Sequence, residues 1–132
     1  MDSVHSFADI EGIAMERQEA LADARLTERL REALSPALPY GASLIPLDIL
    51  VVVSIAHHLN QPLSVKQLLA VLPYSVTGIR YNLAQLVADG WVIKSRKGDD
   101  RRQVHLLPTE QVADAFAKVR AELLKTMEPP LR

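Results

Sequence analysis

Apolar and polar positions along this chain change period in an order that outlines its elements. Ser64 to Leu72 reads Ser-Val-Lys-Gln-Leu-Leu-Ala-Val-Leu, a short helical run that Ser64 can cap. Pro73-Tyr74 interrupts it. From Ser75 to Gly90, Val76, Ile79, Leu83, Leu86 and Val87 share one face at a rotation of ~100° per residue. That face is the expected core contact, with Ser75 as N-cap and Gly90 as the stop. Trp91 to Arg96 and Gln103 to Leu107 read as two strands around the polar tip Lys97-Gly-Asp-Asp-Arg-Arg102, with Gly98-Asp99 as the turn.

The flanks are helical. Residues 2–34 are rich in Ala, Glu, Leu and Arg, which favour helix. Phe7, Ile10, Ile13 and Ala14 keep helical spacing, and Gly12 marks a place for a break. Ser35 to Gly41 reads as a loop. Leu47 to Asn60 is a strongly apolar central helix with Pro46 near its start, ended by Asn60-Gln-Pro62. From Thr109 to Met127 a last helix carries Val112, Phe116, Val119, Leu123 and Met127 in alternating steps of four and three, close to a heptad seam. Such a stripe is either intramolecular core or a dimer surface. With Phe7, Ile10 and Ile13 of the first helix, these five residues are the candidate dimer interface. Residues 128–132 read as a frayed tail.

Helix, turn, helix and hairpin is the order of a winged helix-turn-helix. The fold class predicted is mainly α with a small β-hairpin wing (α+β). One domain fills residues 1–132: an N-terminal dimerisation helix (1–34), a DNA-reading unit (47–107) and a C-terminal dimerisation helix (109–127).

The chemistry follows from that order. The outer face of the Ser75-to-Gly90 helix carries Thr77, Gly78, Tyr81 and Gln85, with Arg80 on its flank and Ser75 at its tip. Short groups permit close approach, and hydrogen-bonding ones can address base edges. Lys94, Arg96, Lys97, Arg101 and Arg102 cluster on the hairpin, where cations can reach phosphates or a minor groove. An indifferent helix face and a solvated hairpin tip are the ordinary alternatives. Net charge is −1 over 132 residues, but it is polarised. Residues 1–34 hold four Arg against eight acids, net −4, and residues 75–107 hold six cations against three acids, net +3. The positive part coincides with the reading unit.

Other classes find little support. No cysteine is present, which excludes disulfides, thiol redox sensing and thiolate metal sites. His57-His58 are neighbours on a helix and point apart, unlike a chelating i, i+4 pair, so no metal or other cofactor is expected. There is no glycine-rich phosphate loop, no Gly-x-Ser-x-Gly and no His-Glu-x-x-His, so the chain is not expected to be an enzyme. The longest apolar run, Ile49 to Ala56, falls far short of the ~20 residues that span a bilayer. The N-terminus lacks a basic-then-apolar signal pattern, and a soluble cytoplasmic protein without a membrane partner is expected.

The Ser75-to-Gly90 helix, Gly90-Trp-Val, the Asp99-Asp-Arg-Arg102 tip and the Thr109-Glu-Gln opening of the last helix together resemble the MarR family of bacterial regulators. The resemblance spans residues 47–112 and marks a divergent member. Pro108 stands where the family usually has Leu, and no Gly follows soon after Thr109. It implies a homodimer paired through its terminal helices, with recognition helices in successive major grooves and a wing Arg in the adjacent minor groove. It also implies a small-molecule effector pocket near Tyr40, Leu44, Ile45 and Leu47. The function expected is a sequence-specific double-stranded DNA-binding transcriptional regulator, a repressor on a pseudo-palindromic operator. The alternative is a winged-helix protein-protein assembly module without DNA.

Overall fold

The computed structural model describes residues 7–96 and 103–127, the side chains of residues 7–10 and 126 aside. Among the described residues, five helices and one hairpin follow in order: α1 (Phe7–Leu34), a 3-10 turn (Pro39–Gly41), α2 (Leu44–His58), α3 (Val65–Val71), α4 (Val76–Ala88), β1 (Val92–Ser95), β2 (His105–Pro108) and α5 (Glu110–Met127). The fold is therefore mainly α with a two-stranded antiparallel wing, as the apolar pattern predicts.

Local rules set the boundaries. Ser64 caps α3 through a capping box: its hydroxyl accepts from the Gln67 N–H at 3.2 Å, and the Gln67 side chain accepts from the Ser64 N–H at 2.9 Å. α2 ends on Asn60, whose φ of 58° turns the chain left-handed while the Gln61 N–H reaches back to the Ala56 carbonyl at 2.9 Å. Two expected boundaries move. α1 continues through Gly12, since one glycine costs a helix only about 1 kcal/mol. α2 begins at Leu44 rather than Leu47, which puts Pro46 in the first turn, where its missing N–H breaks no bond.

The core joins every element of the reading unit. Ile49, Leu50 and Val53 of α2 meet Leu68 of α3, Ile79, Leu83 and Leu86 of α4, Val92 and Leu106 of the wing, and Val112 of α5. Each fully buried side chain of this size contributes about 1.5–3 kcal/mol. A second cluster, Leu38, Ala115 and Val119, takes in Leu34 and Leu123 and fastens the end of α1 to α5. Trp91 and Phe116 pack against both clusters.

The wing is tied down at its root. Its register pairs Val92 with Pro108 and Ser95 with His105. His105 also bridges to Ser64, and the Leu106 N–H donates to the Leu63 carbonyl at 2.8 Å. Thr109 closes the base, its hydroxyl donating to the Gly90 carbonyl at 2.7 Å and its N–H to the Trp91 carbonyl at 3.2 Å. By contrast α1, ~42 Å long, is exposed at every residue from Ile13 to Glu32. Ile13, Met15, Leu21, Leu26 and Leu30 are among its exposed residues.

Candidate nucleic-acid interface

α4 is the centre of the site. Ser75 is extended (φ −64°, ψ 148°), and its hydroxyl accepts from the Gly78 N–H at 3.0 Å. At the other end Asp89 is the C-cap and Gly90 has φ 82°. The Gly90 and Trp91 N–H groups close the last carbonyls at 3.2 and 2.9 Å. Ile79, Leu83 and Leu86 are buried and Val87 is partly so. Val76 departs from the expected core face: it is 53% exposed.

The outward face keeps its polar groups free of packing. Thr77, Arg80 and Tyr81 are exposed, and Gln85 is half-buried. The Gln85 side-chain amide donates to the Tyr81 hydroxyl at 2.9 Å, which orders both before any partner arrives. Asn82 turns inward, donating to the Gly78 carbonyl at 2.8 Å. Packing alone already favours a small residue at Gly78. A Cβ there would stand 3.0 Å from Ser75 Oγ and 3.5 Å from Ile45 Cδ1.

Both ends of α4 are held by tyrosine-aspartate hydrogen bonds. Tyr74 packs on the core and donates its hydroxyl to Asp48 of α2. That bond is the main cause pushing its phenol above the ordinary value, with burial second. Tyr40, from the turn before α2, donates its hydroxyl to Asp89. Burial first, then that bond and the carboxylate's charge, push the Tyr40 phenol up to about 12.

Beside α4 lies a groove of about 460 Å³ with an apolar floor of Val65, Leu69 and Leu83. Lys66 of α3, Arg80 of α4 and Lys94 of β1 stand around it, with no acid among its lining residues. Lys66 escaped the sequence reading. Its signal was available, a lysine two residues after the cap of α3, but only the fold brings it to Arg80 and Lys94. Lys94 and Arg96 are exposed on the wing, while Lys97, Arg101 and Arg102 lie outside the described residues.

The remaining expected sites divide. Val112 (1% exposed) and Val119 (9%) are buried within the chain and offer no surface to a partner. Phe116 and Leu123 are half-buried against the same clusters. The first half of the heptad-like stripe is thus intramolecular packing, which corrects its assignment to a dimer surface. Ile13 and Met127 are exposed, and the Phe7 and Ile10 side chains lie outside the described residues. At the junction of α1, the 3-10 turn and α2, Tyr40, Leu44 and Leu47 line a cavity of about 810 Å³ with Leu30, Arg31 and Leu34. Ile45, expected there, packs on the core beside Gly78. Among the described residues no three His, Cys, Asp or Glu side chains group as metal ligands, and no helix is long and apolar enough to cross a membrane.

A capped and clamped helix with a polar outer face, a cationic groove beside it and a hairpin behind it is an arrangement for contacting a nucleic acid. The family description "Winged helix DNA-binding domain" matches residues 44–111. The chain belongs to the winged helix DNA-binding domain family. No curated protein matches this winged-helix chain. Solved structures match its fold, which is that of MarR-type regulators. YusO from Bacillus subtilis is 16% identical with a TM-score of 0.65, over 93% of this chain and 82% of its own. A MarR mutant from E. coli, solved with operator DNA, is 20% identical with a TM-score of 0.55, over 86% and 76%. A MarR family protein from Mycobacterium tuberculosis, solved with p-aminosalicylic acid, is 22% identical with a TM-score of 0.50, over 82% of each chain.

Proposed function

We propose that this winged-helix protein is a cytoplasmic, sequence-specific transcription regulator that binds double-stranded DNA as a homodimer and acts as a repressor. The observation that carries the reading is the outward face of α4. Thr77, Arg80 and Tyr81 stand in solvent on a helix whose opposite face is sealed into the core and whose two ends are bonded to other elements. Such a helix can enter a major groove without repacking, while Lys66, Arg80 and Lys94 meet the flanking phosphates. The wing cations Lys94, Arg96, Lys97, Arg101 and Arg102 then reach toward the adjacent minor groove.

The dimer reading rests on α1. Helices in water draw most of their stability from packing, and a helix exposed along some 20 residues lacks it within one chain. Leu21, Leu26 and Leu30, together with exposed Leu124 and Met127 of α5, supply the apolar surface that a second copy would cover. Two copies would place two α4 helices on half-sites one turn of DNA apart. A carboxylate-bearing small molecule is the effector that suits the junction cavity, whose apolar wall carries Arg31 and Tyr40. The p-aminosalicylic acid complex of the mycobacterial structural neighbour supports that class.

Selection from a random duplex pool at two salt concentrations tests the reading, with the triple variant Tyr81→Ala, Arg101→Ala, Arg102→Ala as comparison. An enriched pseudo-palindrome, weakened by salt and lost in the variant, is expected. A pool with no enriched sequence would refute DNA reading and favour a protein partner on α4. Sedimentation of the Leu21→Asp, Leu26→Asp variant tests the dimer, and a variant that still sediments as a dimer would remove α1 from the interface.

A further inference from the structure

We propose that Tyr40 is a positioning residue for DNA reading: it sets the C-terminal end of α4 through Asp89 and is the releasable one of the helix's two clamps. The proposal rests on α4 being the reading helix, and it distinguishes two bonds of the same chemistry by their surroundings.

The Tyr74–Asp48 clamp at the N-terminal end is built into the core. Tyr74 is half-buried against the main apolar cluster, and Asp48 sits on α2, whose neighbours Ile49 and Leu50 are fully buried. The Tyr40–Asp89 clamp at the other end is different in three respects. Tyr40 is 40% exposed and Asp89 is exposed, whereas Tyr74 and Asp48 are both half-buried. It also sits in a strained turn, since Tyr40, Gly41 and Ala42 have φ of 56°, 66° and 61° in succession and two of them are not glycine. Such a conformation persists only where its surroundings hold it. Here the restraints are the Tyr40–Asp89 bond, the Ser43 hydroxyl donating to the Tyr40 carbonyl at 2.8 Å, and the Ala42 N–H donating to the Pro39 carbonyl at 3.1 Å. Finally, Asp89 is an anion at the carbonyl end of a helix, which disfavours it, so its acceptor oxygen gains from a donor.

Ile79, Leu83 and Leu86 keep α4 seated in the core, so loss of the Tyr40 bond loosens only its last turn, around residues 85–90. A small shift of that turn changes contacts to base edges more than general attraction to phosphates. The Tyr40 ring also walls the junction cavity, so an occupant of that cavity meets the clamp directly.

The test compares the full-length chain with Tyr40→Phe, Asp89→Asn, Asp89→Ala and the Tyr40→Phe, Asp89→Ala pair. The affinities read are those for the selected operator and for an unrelated duplex. Loss of the hydroxyl should weaken operator binding about three- to tenfold and leave the unrelated duplex unchanged. Asp89→Asn, which keeps an acceptor, should stay close to wild type, and adding Tyr40→Phe to Asp89→Ala should cost nothing more. Amide hydrogen exchange of residues 85–90 should speed up in Tyr40→Phe. Unchanged operator affinity in that variant overturns the proposal. So does an equal loss on both duplexes, which would mark general destabilisation. Should the wild-type chain select no DNA at all, the reading of α4 fails, and unchanged exchange over residues 85–90 would separately dismiss the clamp.

Discussion

Replacing Lys66 by Gln removes one of the three cations around the groove between α3, α4 and β1, and leaves Arg80 and Lys94 in place. The substitution keeps length and polarity, and Lys66 is exposed, so folding should be untouched. If each Lys66 neutralises one phosphate, each contributes ~0.9 to the slope of log affinity against log salt. A dimer carries two, so the slope should become shallower by about 1.8. Between 50 and 200 mM salt, wild-type affinity should therefore fall ~12-fold more than that of the variant. Fluorescence anisotropy on the selected operator over that range measures it directly. Lys125→Gln serves as control, since that lysine pairs with Glu122 at 3.4 Å near the far end of α5 and should leave the slope alone. The loss should also be nearly equal for operator and unrelated duplex, because a phosphate carries no sequence. A slope identical to wild type, or one equally altered by Lys125→Gln, would refute the assignment of this groove to the DNA backbone.

Three further outcomes are expected. Leu86→Ala, at a fully buried position of α4, should lower unfolding free energy by about 2–5 kcal/mol in urea denaturation, and a loss under 1 kcal/mol would mean the site collapses or was never close-packed. Ser64→Ala removes the acceptor half of the capping box and should cost about 1 kcal/mol, with circular dichroism showing loss at α3 rather than global unfolding. For Tyr40, whose phenol lies at about 12 against an ordinary 10.0, the protonated form is favoured by the folded state. Its stabilisation is thus complete below about pH 10 and lost as pH rises toward 12. The gap between wild type and Tyr40→Phe in urea midpoint should be flat from pH 7 to 9 and then close. A gap that widens above pH 10 would contradict the cause assigned to the shift.

What could be read without coordinates was whatever local chemistry dictates. Ser64 and Ser75 as caps, Gly90 as a stop and the buried line of Ile79, Leu83 and Leu86 all depend on neighbours within one or two turns. Helix periodicity also names a face, but it does not say how far the neighbouring element extends. Val76 shares its face with Ile79 and still lies in solvent. The same limit explains α5: a stripe at heptad spacing looks alike whether it meets its own chain or another, and Val112 and Val119 meet their own. Contacts across the chain left no local trace. Tyr40 and Asp89 are 49 positions apart, Tyr74 and Asp48 are 26 apart, and Lys66 joins Arg80 only once α3 and α4 are docked. At Gly78 the pattern showed a small residue on an outer face but not its close neighbours Ser75 and Ile45.

The closed base of the wing has a consequence for how this domain can diversify. Thr109 ties the exit of β2 to Gly90 and Trp91 at the entry of β1, and Leu106 ties the same strand to Leu63. The hairpin's two roots are thus joined to each other and to the body, independently of whatever links Arg96 to Gln103. A change in that link therefore leaves the bonds at the base in place. On the proposed reading, residues exchanged there would alter how far a cation reaches along a duplex while α4 keeps its seat. Reach and reading can therefore change separately within one small chain.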